Sequence, residues 1–329
     1  YEQASMGYSD NSDLSWGSYV QRGWNNPHLV TYAESHDEER VMVKNLDFGN
    51  SNGSYDIQSL NTALDRMEIV HTFLIPIPGP KMIWQFGELG YDYSINYCPE
   101  DGTIDPDCRT YAKPVRWDYR DVAERYKVYK VVAALNNLKN TEALFSTTDF
   151  DLDLGGLGKR IHLNSNDLNC VVVGNFNVTS INMIPGFQHT GTWYDYFTGN
   201  AFEVNDQGAS FGFQPGEYHL YFDQQMETPD TSVRVNEAMD MFGLDFMAWP
   251  NPANDQITIG FDNGSGGTVR VELLDMTGKV VAILNSASFG NGRQQFTARL
   301  DGISEGAYLI RVANSNGFHS HPIVLSNAE

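Results

Sequence analysis

The feature that most constrains this sequence is a short apolar run that ends abruptly in a cluster of charged residues. Residues 29–33 (LVTYA) are rich in β-branched and aromatic types, which predicts a buried strand. Residues 34–40 (ESHDEER) then bring one imidazole and four carboxylates together directly after it. α/β enzymes place their chemistry at the carboxyl ends of parallel strands. Carboxylates there can stabilise a developing cation or share protons with a hydroxyl group.

The same residues also fit a purely structural explanation. Ser35 followed by Glu38 is the pattern of a capping box, in which the two side chains satisfy N–H groups at a helix start. Acidic residues in a first helical turn also complement the helix dipole. Spacing alone does not separate a catalytic cluster from a helix start, so both hypotheses stay open at this point.

A second strand is predicted after an intervening helix. Apolar residues recur at helical spacing from about 60 to 74, and residues 82–85 (MIWQ) form the next predicted buried strand. Strand, helix and strand in this order make a βαβ unit, whose strands should be parallel. We therefore expect His36, Asp37 and Glu88 on one face, with Glu88 orienting a neighbour rather than contacting a ligand.

Three segments, taken in order, resemble the α-amylase family of glycoside hydrolases. Residues 32–37 (YAESHD) resemble the motif of its seventh barrel strand, and residues 78–90 resemble its eighth-strand segment. Residues 113–117 (KPVRW) resemble an element of its last loop. The chain departs from the usual family pattern at two places, where Ser35 replaces Asn and Lys113 replaces Arg.

This resemblance implies that residues 1–140 are the C-terminal part of a (β/α)8 catalytic barrel. The family carries its nucleophile and general acid on its fourth and fifth strands, and nothing in this chain matches either motif. The chain also starts at Tyr1 without an initiator Met. We therefore expect a fragment that is inactive by itself.

The resemblance also implies roles for individual residues. Asp37 would stabilise the transition state of a retaining glycosidase. His36 and Glu34 would bind the same sugar. Glu88 and Arg40 are candidates for supporting these residues.

Composition restricts the partners of the chain. Forty-two acidic and 21 basic residues give a net charge of −21, which disfavours nucleic acid and anionic membranes because their phosphates would repel the chain. A neutral α-glucan such as starch or glycogen is indifferent to this charge. No run approaches the ~18 apolar residues of a transmembrane helix.

Cys98 and Cys108 bracket a loop with no apolar pattern of its own, and we expect them to form a disulfide bond. Such a bond would stabilise the fold by roughly 3 kcal/mol in the chain-entropy model. Calcium is common in the resembled family, but the acids of this loop match no calcium-binding loop. These acids are Asp101, Asp105 and Asp107. We therefore predict no metal site from the motifs and no required cofactor, and calcium stays open as an alternative that no motif indicates.

The remainder of the chain changes to β patterning. Residues 141–223 carry short alternating runs between Gly-containing turns, which is typical of an antiparallel β-sandwich and resembles the β domain that follows the barrel in α-amylases. Residues 224–245 have the composition of an acidic linker.

Residues 246–329 are predicted to form a small β-sandwich with no catalytic cluster. Their motifs Pro-Asn-Pro-x-x-Asp, Asp-x-Thr-Gly-Lys and Gly-x-Tyr-Leu-x-x-Val resemble the C-terminal sorting domain of the type IX secretion system. The resemblance implies interaction with that machinery and a secreted or surface-attached protein.

Two alternatives remain open from the sequence. The first is a transglycosylase of the same family, such as an α-glucan branching enzyme, because the motifs do not separate water from a sugar hydroxyl as acceptor. The second is a non-catalytic surface glycan-binding protein that kept a degenerate barrel.

Overall fold

The computed structural model describes residues 1–231, 246–263, 266–276, 278–314 and 317–326. The chain divides into two compact units, Tyr1–Val233 and Arg234–Glu329. The predicted linker 224–245 has no helix or strand over 224–231, and its remaining residues lie outside the described ones.

The helical part of the first unit follows the predicted periodicity. Its α-helices are α1 (Glu2–Ser5), α2 (Val41–Phe48), α3 (Leu60–Leu74) and α4 (Ala123–Thr141). Short 3-10 turns span Ser15–Gly17, Gly87–Leu89, Pro106–Cys108, Trp117–Asp121 and Ala143–Ser146. The apolar residues of α3 and α4 that recur at helical spacing, among them Met67, Val70, Val131 and Leu135, are buried in one core.

The two predicted barrel strands are reduced to a single parallel bridge between Thr31 and Lys81. Backbone hydrogen bonds of 3.1 and 3.0 Å flank this bridge, and α3 connects its two sides, so the pairing direction and the element order agree with a βαβ unit. The predicted burial of the first strand is wrong, because Val30 and Tyr32 are 50% and 39% exposed. The side chains of a parallel strand are buried when other elements cover both faces of the sheet; here Thr31 is buried on one face, whereas Val30 and Tyr32 on the other are exposed.

Two short strands, β1 (Ser51–Asn52) and β2 (Tyr55–Asp56), form a hairpin before α3. Antiparallel strands then follow α4. They are β3 (Phe150–Asp153), β4 (Gly158–Leu163), β5 (Cys170–Asn175), β6 (Ile181–Met183), β7 (Gly191–Asp195), β8 (Ala201–Val204), β9 (Phe211–Phe213) and β10 (Tyr218–Phe222).

Six of these strands form one sheet in the order β3-β4-β5-β10-β7-β8, and β6 pairs with β9. All six residues of β5 are buried, because both faces of the sheet are covered. One face, including Val172, shares its core with α3 and α4. The other face, including Val171, packs against Phe187 and Phe213. The second layer of the predicted sandwich is thus small.

The second unit consists of antiparallel strands around a core of its own. The strands are β11 (Phe246–Trp249), β12 (Gln256–Asn263), β13 (Gly267–Leu274), β14 (Val280–Phe289), β15 (Gly292–Arg299), β16 (Gly306–Asn314) and β17 (Gly317–Leu325). Three form a sheet in the order β11-β12-β15, and four form a sheet in the order β14-β13-β16-β17. Alternate residues of both sheets, such as Ile259 and Val271, fill the core. Over the described ranges, no helix is long and apolar enough to cross a membrane.

Candidate active site

The charged cluster after the parallel bridge does not form the predicted capping box. Helix α2 begins only at Val41. The Ser35 hydroxyl contacts the Glu38 carboxylate and accepts a hydrogen bond from the Asp37 N–H (3.1 Å), so these residues close a turn ahead of the helix. The Val41 N–H donates to Glu34 Oε2 at 2.8 Å. Glu34 therefore satisfies the helix start in place of Ser35, since an anion near an N-terminus is favoured by the helix dipole.

Glu34 and Arg40 form a buried ion pair at the base of this turn. Glu34 Oε1 lies 2.6 Å from Arg40 Nη2, and their side chains are 5% and 3% exposed. The same Nη2 donates to the Gln85 carbonyl (2.8 Å), and the guanidinium lies 4.7 Å from the Tyr91 ring centroid. Both Glu34 oxygens have protein partners and the side chain is buried, an environment that Glu34 shares with Arg40 and that favours a supporting role; the substrate-binding role of Glu34 stays a prediction. Through this ion pair and its hydrogen bond to Gln85, Arg40 connects the turn after residues 29–33 to the segment that contains residues 82–85.

His36 and Asp37 have the opposite environment. Their side chains are 69% and 68% exposed, and His36 Nε2 lies 3.5 Å from Asp37 Oδ2. The imidazole also packs beside the Trp84 ring, with 5.6 Å between ring centroids. The structure thus brings the end of the first segment against the second segment, as the βαβ order predicts. An exposed imidazole and carboxylate keep hydrogen-bonding capacity for a ligand.

Glu88 lies in the turn Gly87–Leu89 behind the buried pair. Burial raises the pKa of this half-buried carboxyl, and the Arg40 charge opposes that shift. A Cβ at Gly87 would lie 2.8 Å from Glu34 Oε1, so the close approach of this turn requires glycine. Phe86, just before the turn, is held at φ 57°, a left-handed conformation that is unfavourable for a bulky residue. Glu88 is half-buried in this turn, and its supporting role stays a prediction.

Arg109 is the site residue that sequence reasoning missed. Its Nη2 donates to the Asp37 carbonyl and lies 3.9 Å from Asp37 Oδ1. Arg109 directly follows Cys108, which is joined to Cys98 by a disulfide bond. No motif marks this arginine, and its position next to a cysteine of the bracketed loop is the only signal that the sequence offers.

Glu39 ties the start of the same loop to the site. Its Oε2 accepts a hydrogen bond from Ser94 Oγ (2.5 Å), and its Oε1 accepts one from the Ile95 N–H (3.0 Å). The acids within the loop serve its turns: Asp101 accepts from the Thr103 N–H and hydroxyl, and Asp105 accepts from the Asp107 N–H. Within the described residues, no group of three or more His, Cys, Asp or Glu side chains could hold a metal ion.

A cavity of about 460 Å³ lies beside residues 29–32, the segment that carries the parallel bridge. Trp16, Arg22, Val30 and Tyr32 are among its lining residues, and none of the predicted site residues lines it. The cavity is therefore a feature of the unpaired edge and is separate from the His36–Asp37 pair.

Comparison with known proteins separates the two units. Residues 247–326 match the family described as "Secretion system C-terminal sorting domain". This domain indicates export by the type IX system, so the protein is extracellular or lies at the cell surface. No curated protein matches the chain.

Similar solved structures are α-amylase-family glycoside hydrolases. AmyP in complex with maltose is 14% identical, with a TM-score of 0.51 over 70% of this chain and 49% of AmyP. An Anoxybacillus α-amylase is 15% identical (TM-score 0.46, 68% of this chain and 45% of that one). An α-amylase from Geobacillus thermoleovorans in complex with acarbose is 14% identical (TM-score 0.46, 68% and 47%). The chain spans about half the length of these proteins. At such low identity, the similarity to AmyP shows a shared fold alone.

Proposed function

We propose that this chain is the C-terminal part of a secreted α-amylase-type glycoside hydrolase that cleaves α-glucosidic bonds of starch- or glycogen-type glucans with retention of configuration. The observation that carries the proposal is the exposed His36–Asp37 pair, which follows a parallel bridge and lies beside Trp84. The fold shared with a maltose-bound neighbour supports an α-glucan as the ligand.

In this proposal, Asp37 acts on the transition state. A retaining glycosidase uses a nucleophile and an acid/base residue, and its transition state resembles an oxocarbenium ion. The Asp37 carboxylate would accept hydrogen bonds from sugar hydroxyls. These bonds strengthen as the ring flattens and gains positive charge. They therefore stabilise the transition state more than the bound substrate, which lowers the barrier. His36 would donate to the same sugar. The nucleophile and acid/base residue would come from sequence outside this chain.

The open edge of the first segment supports the barrel part of the proposal. In a parallel strand, the N–H and C=O groups of one residue face one neighbour and those of the next residue face the other. Thr31 bonds toward residues 80 and 82. The backbone groups of Val30 and Tyr32 have no hydrogen-bond partner among the described residues, and the cavity along them leaves room for another strand.

The export of the protein fits a polymeric substrate outside the cell. A starch-type glucan is neutral, so the net charge of −21 does not oppose its approach. Recognition would depend on hydrogen bonds and on packing against an aromatic ring, which Asp37, His36 and Trp84 offer together.

The proposal is tested by titrating the whole chain with maltoheptaose while tryptophan fluorescence is recorded. We expect saturable binding of maltoheptaose and none of the β-linked cellohexaose. His36→Ala should weaken the binding about tenfold, roughly the 1.4 kcal/mol of one good hydrogen bond. Equal binding of both glucans, or binding that is indifferent to His36, would contradict the proposal.

Hydrolysis and transfer are separated in a longer chain that carries the nucleophile and the acid/base residue. Hydrolysis of soluble starch produces reducing ends. Branching activity instead produces new branch points at a nearly constant number of reducing ends.

A further inference from the structure

We propose that Arg109 is a positioning residue for Asp37, held in place by the Cys98–Cys108 disulfide bond. The contact between Arg109 and Asp37 is independent of the substrate, whereas its consequence for glycan binding rests on the function proposed above. The argument starts from the surroundings of Asp37.

Asp37 has few protein partners that fix its orientation. In the part of the chain that the structure describes, the basic groups within 4.0 Å of its carboxylate are His36 and Arg109. Arg109 also donates to the backbone carbonyl of Asp37, while the N–H of Asp37 donates to Ser35. The guanidinium therefore engages both the main chain and the side chain of one exposed residue. Both contacts are made by the same nitrogen, Nη2, so the hydrogen bond to the carbonyl holds the guanidinium while the longer contact brings its charge toward the carboxylate.

The loop that carries Arg109 is tied to the site at both ends. Near its start, Ser94 and Ile95 donate to Glu39, two residues after Asp37. Near its end, Arg109 reaches Asp37 itself. The disulfide bond closes the ten-residue separation between these regions.

A lysine completes the bracing of this loop. Lys113 Nζ donates to the carbonyls of Cys108 (2.7 Å) and Tyr97 (2.9 Å). It therefore links one cysteine of the disulfide bond to the residue that precedes the other cysteine. The interior of the loop has no apolar core and consists of turns closed by Asp101 and Asp105. Without the covalent bond, loop entropy would oppose the placement of Arg109 against Asp37.

The expected effect of Arg109 is to restrict the carboxylate of Asp37 to one direction. A ligand then finds the acceptor already oriented, which lowers the entropic cost of binding. Arg109 acts in this way through Asp37, so its removal should matter only while the Asp37 carboxylate is present.

The contact itself is tested by hydrogen–deuterium exchange of the amides of residues 35–39 in the whole chain. We expect Arg109→Gln and the double variant Cys98→Ser/Cys108→Ser to raise the exchange rates by a similar factor, at least threefold. Arg120→Gln is the matched control, because Arg120 is an exposed arginine whose guanidinium lies 5.7 Å from the Tyr126 ring centroid rather than against Asp37. Unchanged exchange in Arg109→Gln would overturn the proposal, and this variant removes no covalent bond that folding could require.

The consequence for binding is tested by maltoheptaose titration. Arg109→Gln should raise the Kd five- to tenfold in the natural sequence and less than twofold in the Asp37→Asn background. Arg109→Lys should recover only part of the loss, since it restores the charge on a side chain of different reach and geometry. The disulfide-free variant should match Arg109→Gln.

The outcomes separate this inference from the proposed function. If the exchange rates rise but no variant binds maltoheptaose, the positioning contact stands and the α-glucan function fails. If maltoheptaose binds and Arg109→Gln weakens it equally in the Asp37→Asn background, Arg109 contacts the sugar directly and the positioning role is overturned.

Discussion

Two of the histidine–carboxylate pairs in the first unit look alike in chemistry and differ in surroundings. In the sheet, His219 Nδ1 lies 2.5 Å from Asp195 Oδ2 and its Nε2 lies 2.9 Å from Glu217 Oε1, with the imidazole side chain 26% exposed. In the loop after the parallel bridge, His36 lies 3.5 Å from Asp37, and both side chains are more than two-thirds exposed.

The difference shows which pair has capacity left for a ligand. Both ring nitrogens of His219 have protein partners, and Asp195 also accepts hydrogen bonds from the N–H groups of Phe197 and Thr198. Such a saturated pair holds a turn and two strands together. His36 makes no hydrogen bond to any described side chain or backbone group, so its donors and acceptors remain open. Satisfaction of the nitrogens, rather than the residue types, separates a structural pair from a candidate site.

The largest expected effect on stability comes from Glu34, the buried carboxylate in the same turn as His36 and Asp37. Glu34→Gln leaves the buried Arg40 guanidinium without its counter-charge. Breaking a buried ion pair costs about 3–5 kcal/mol, which corresponds to a fall in Tm of about 10 °C for a unit of this size. Calorimetric melting measures this directly. Glu38→Gln, at an exposed acid of the same turn, is the control and should change the free energy of unfolding by less than about 0.5 kcal/mol.

A Tm for Glu34→Gln equal to that of the natural chain, together with weaker glycan binding, would support the substrate-binding role that the sequence predicts for Glu34. The same measurement thus tests the supporting role that burial and hydrogen bonding favour for this residue.

The second prediction compares the same substitution at Asp37 and at Asp195, for which we expect opposite effects on turnover and stability. In a chain that carries the nucleophile and acid/base residue, Asp37→Asn should lower kcat at least ~100-fold, about 2.7 kcal/mol of barrier, because the charge that tightens transition-state hydrogen bonds is lost. Its Tm should change little, since the side chain is exposed. Asp195→Asn should do the reverse, with kcat retained and stability lowered by about 2 kcal/mol. Steady-state kinetics measure kcat and calorimetry measures Tm for each of the two variants.

A loss of stability in Asp37→Asn with normal turnover would mean that the turn is structural. It would also remove the contrast between the two pairs.

How much the sequence predicted depends on whether a feature is local. The helix α3 follows from apolar periodicity, and its span of Leu60–Leu74 coincides with the predicted one. The meeting of His36 with Trp84 follows from the parallel order of two segments. The Cys98–Cys108 pair follows from the loop that it brackets.

Other features depend on contacts that sequence spacing does not encode. Arg109 reaches Asp37 across 72 positions of the chain, and the path depends on the shape of an irregular loop. Ser35 and Glu38 have the spacing of a capping box, but the same hydrogen-bonding groups close a turn when the helix starts later. The exposure of Val30 depends on what covers its face of the strand, which its own sequence does not reveal.

The smallest effect is a pH dependence that belongs to the sheet pair. Burial lowers the pKa of His219, but the hydrogen bonds and charges of Asp195 and Glu217 outweigh burial, and the net pKa is raised. Tyr221 stacks on the ring, and Phe213 packs against it edge-on, so Asp195 and Glu217 are the charged groups that face it. A raised pKa means that the folded state binds the proton more tightly than the unfolded state. The resulting stability is fully present below the unfolded pKa of about 6.5 and is lost as the pH rises through the folded pKa.

His219→Gln should therefore destabilise the first unit by about 1–2 kcal/mol at pH 5.5, the value of a charge-assisted hydrogen bond, and by clearly less at pH 9. His162 provides the control of opposite sign, because burial lowers its pKa while its Nε2 stays 2.8 Å from the Pro185 carbonyl. For that residue, the natural chain should lose stability relative to His162→Gln as the pH falls below about 6.5. Melting curves of the three chains at both pH values test the sign. If the stability difference between the natural chain and His219→Gln grows toward pH 9, neutral hydrogen bonds hold the sheet pair. The two histidine pairs would then not differ in the way that charge stabilises them.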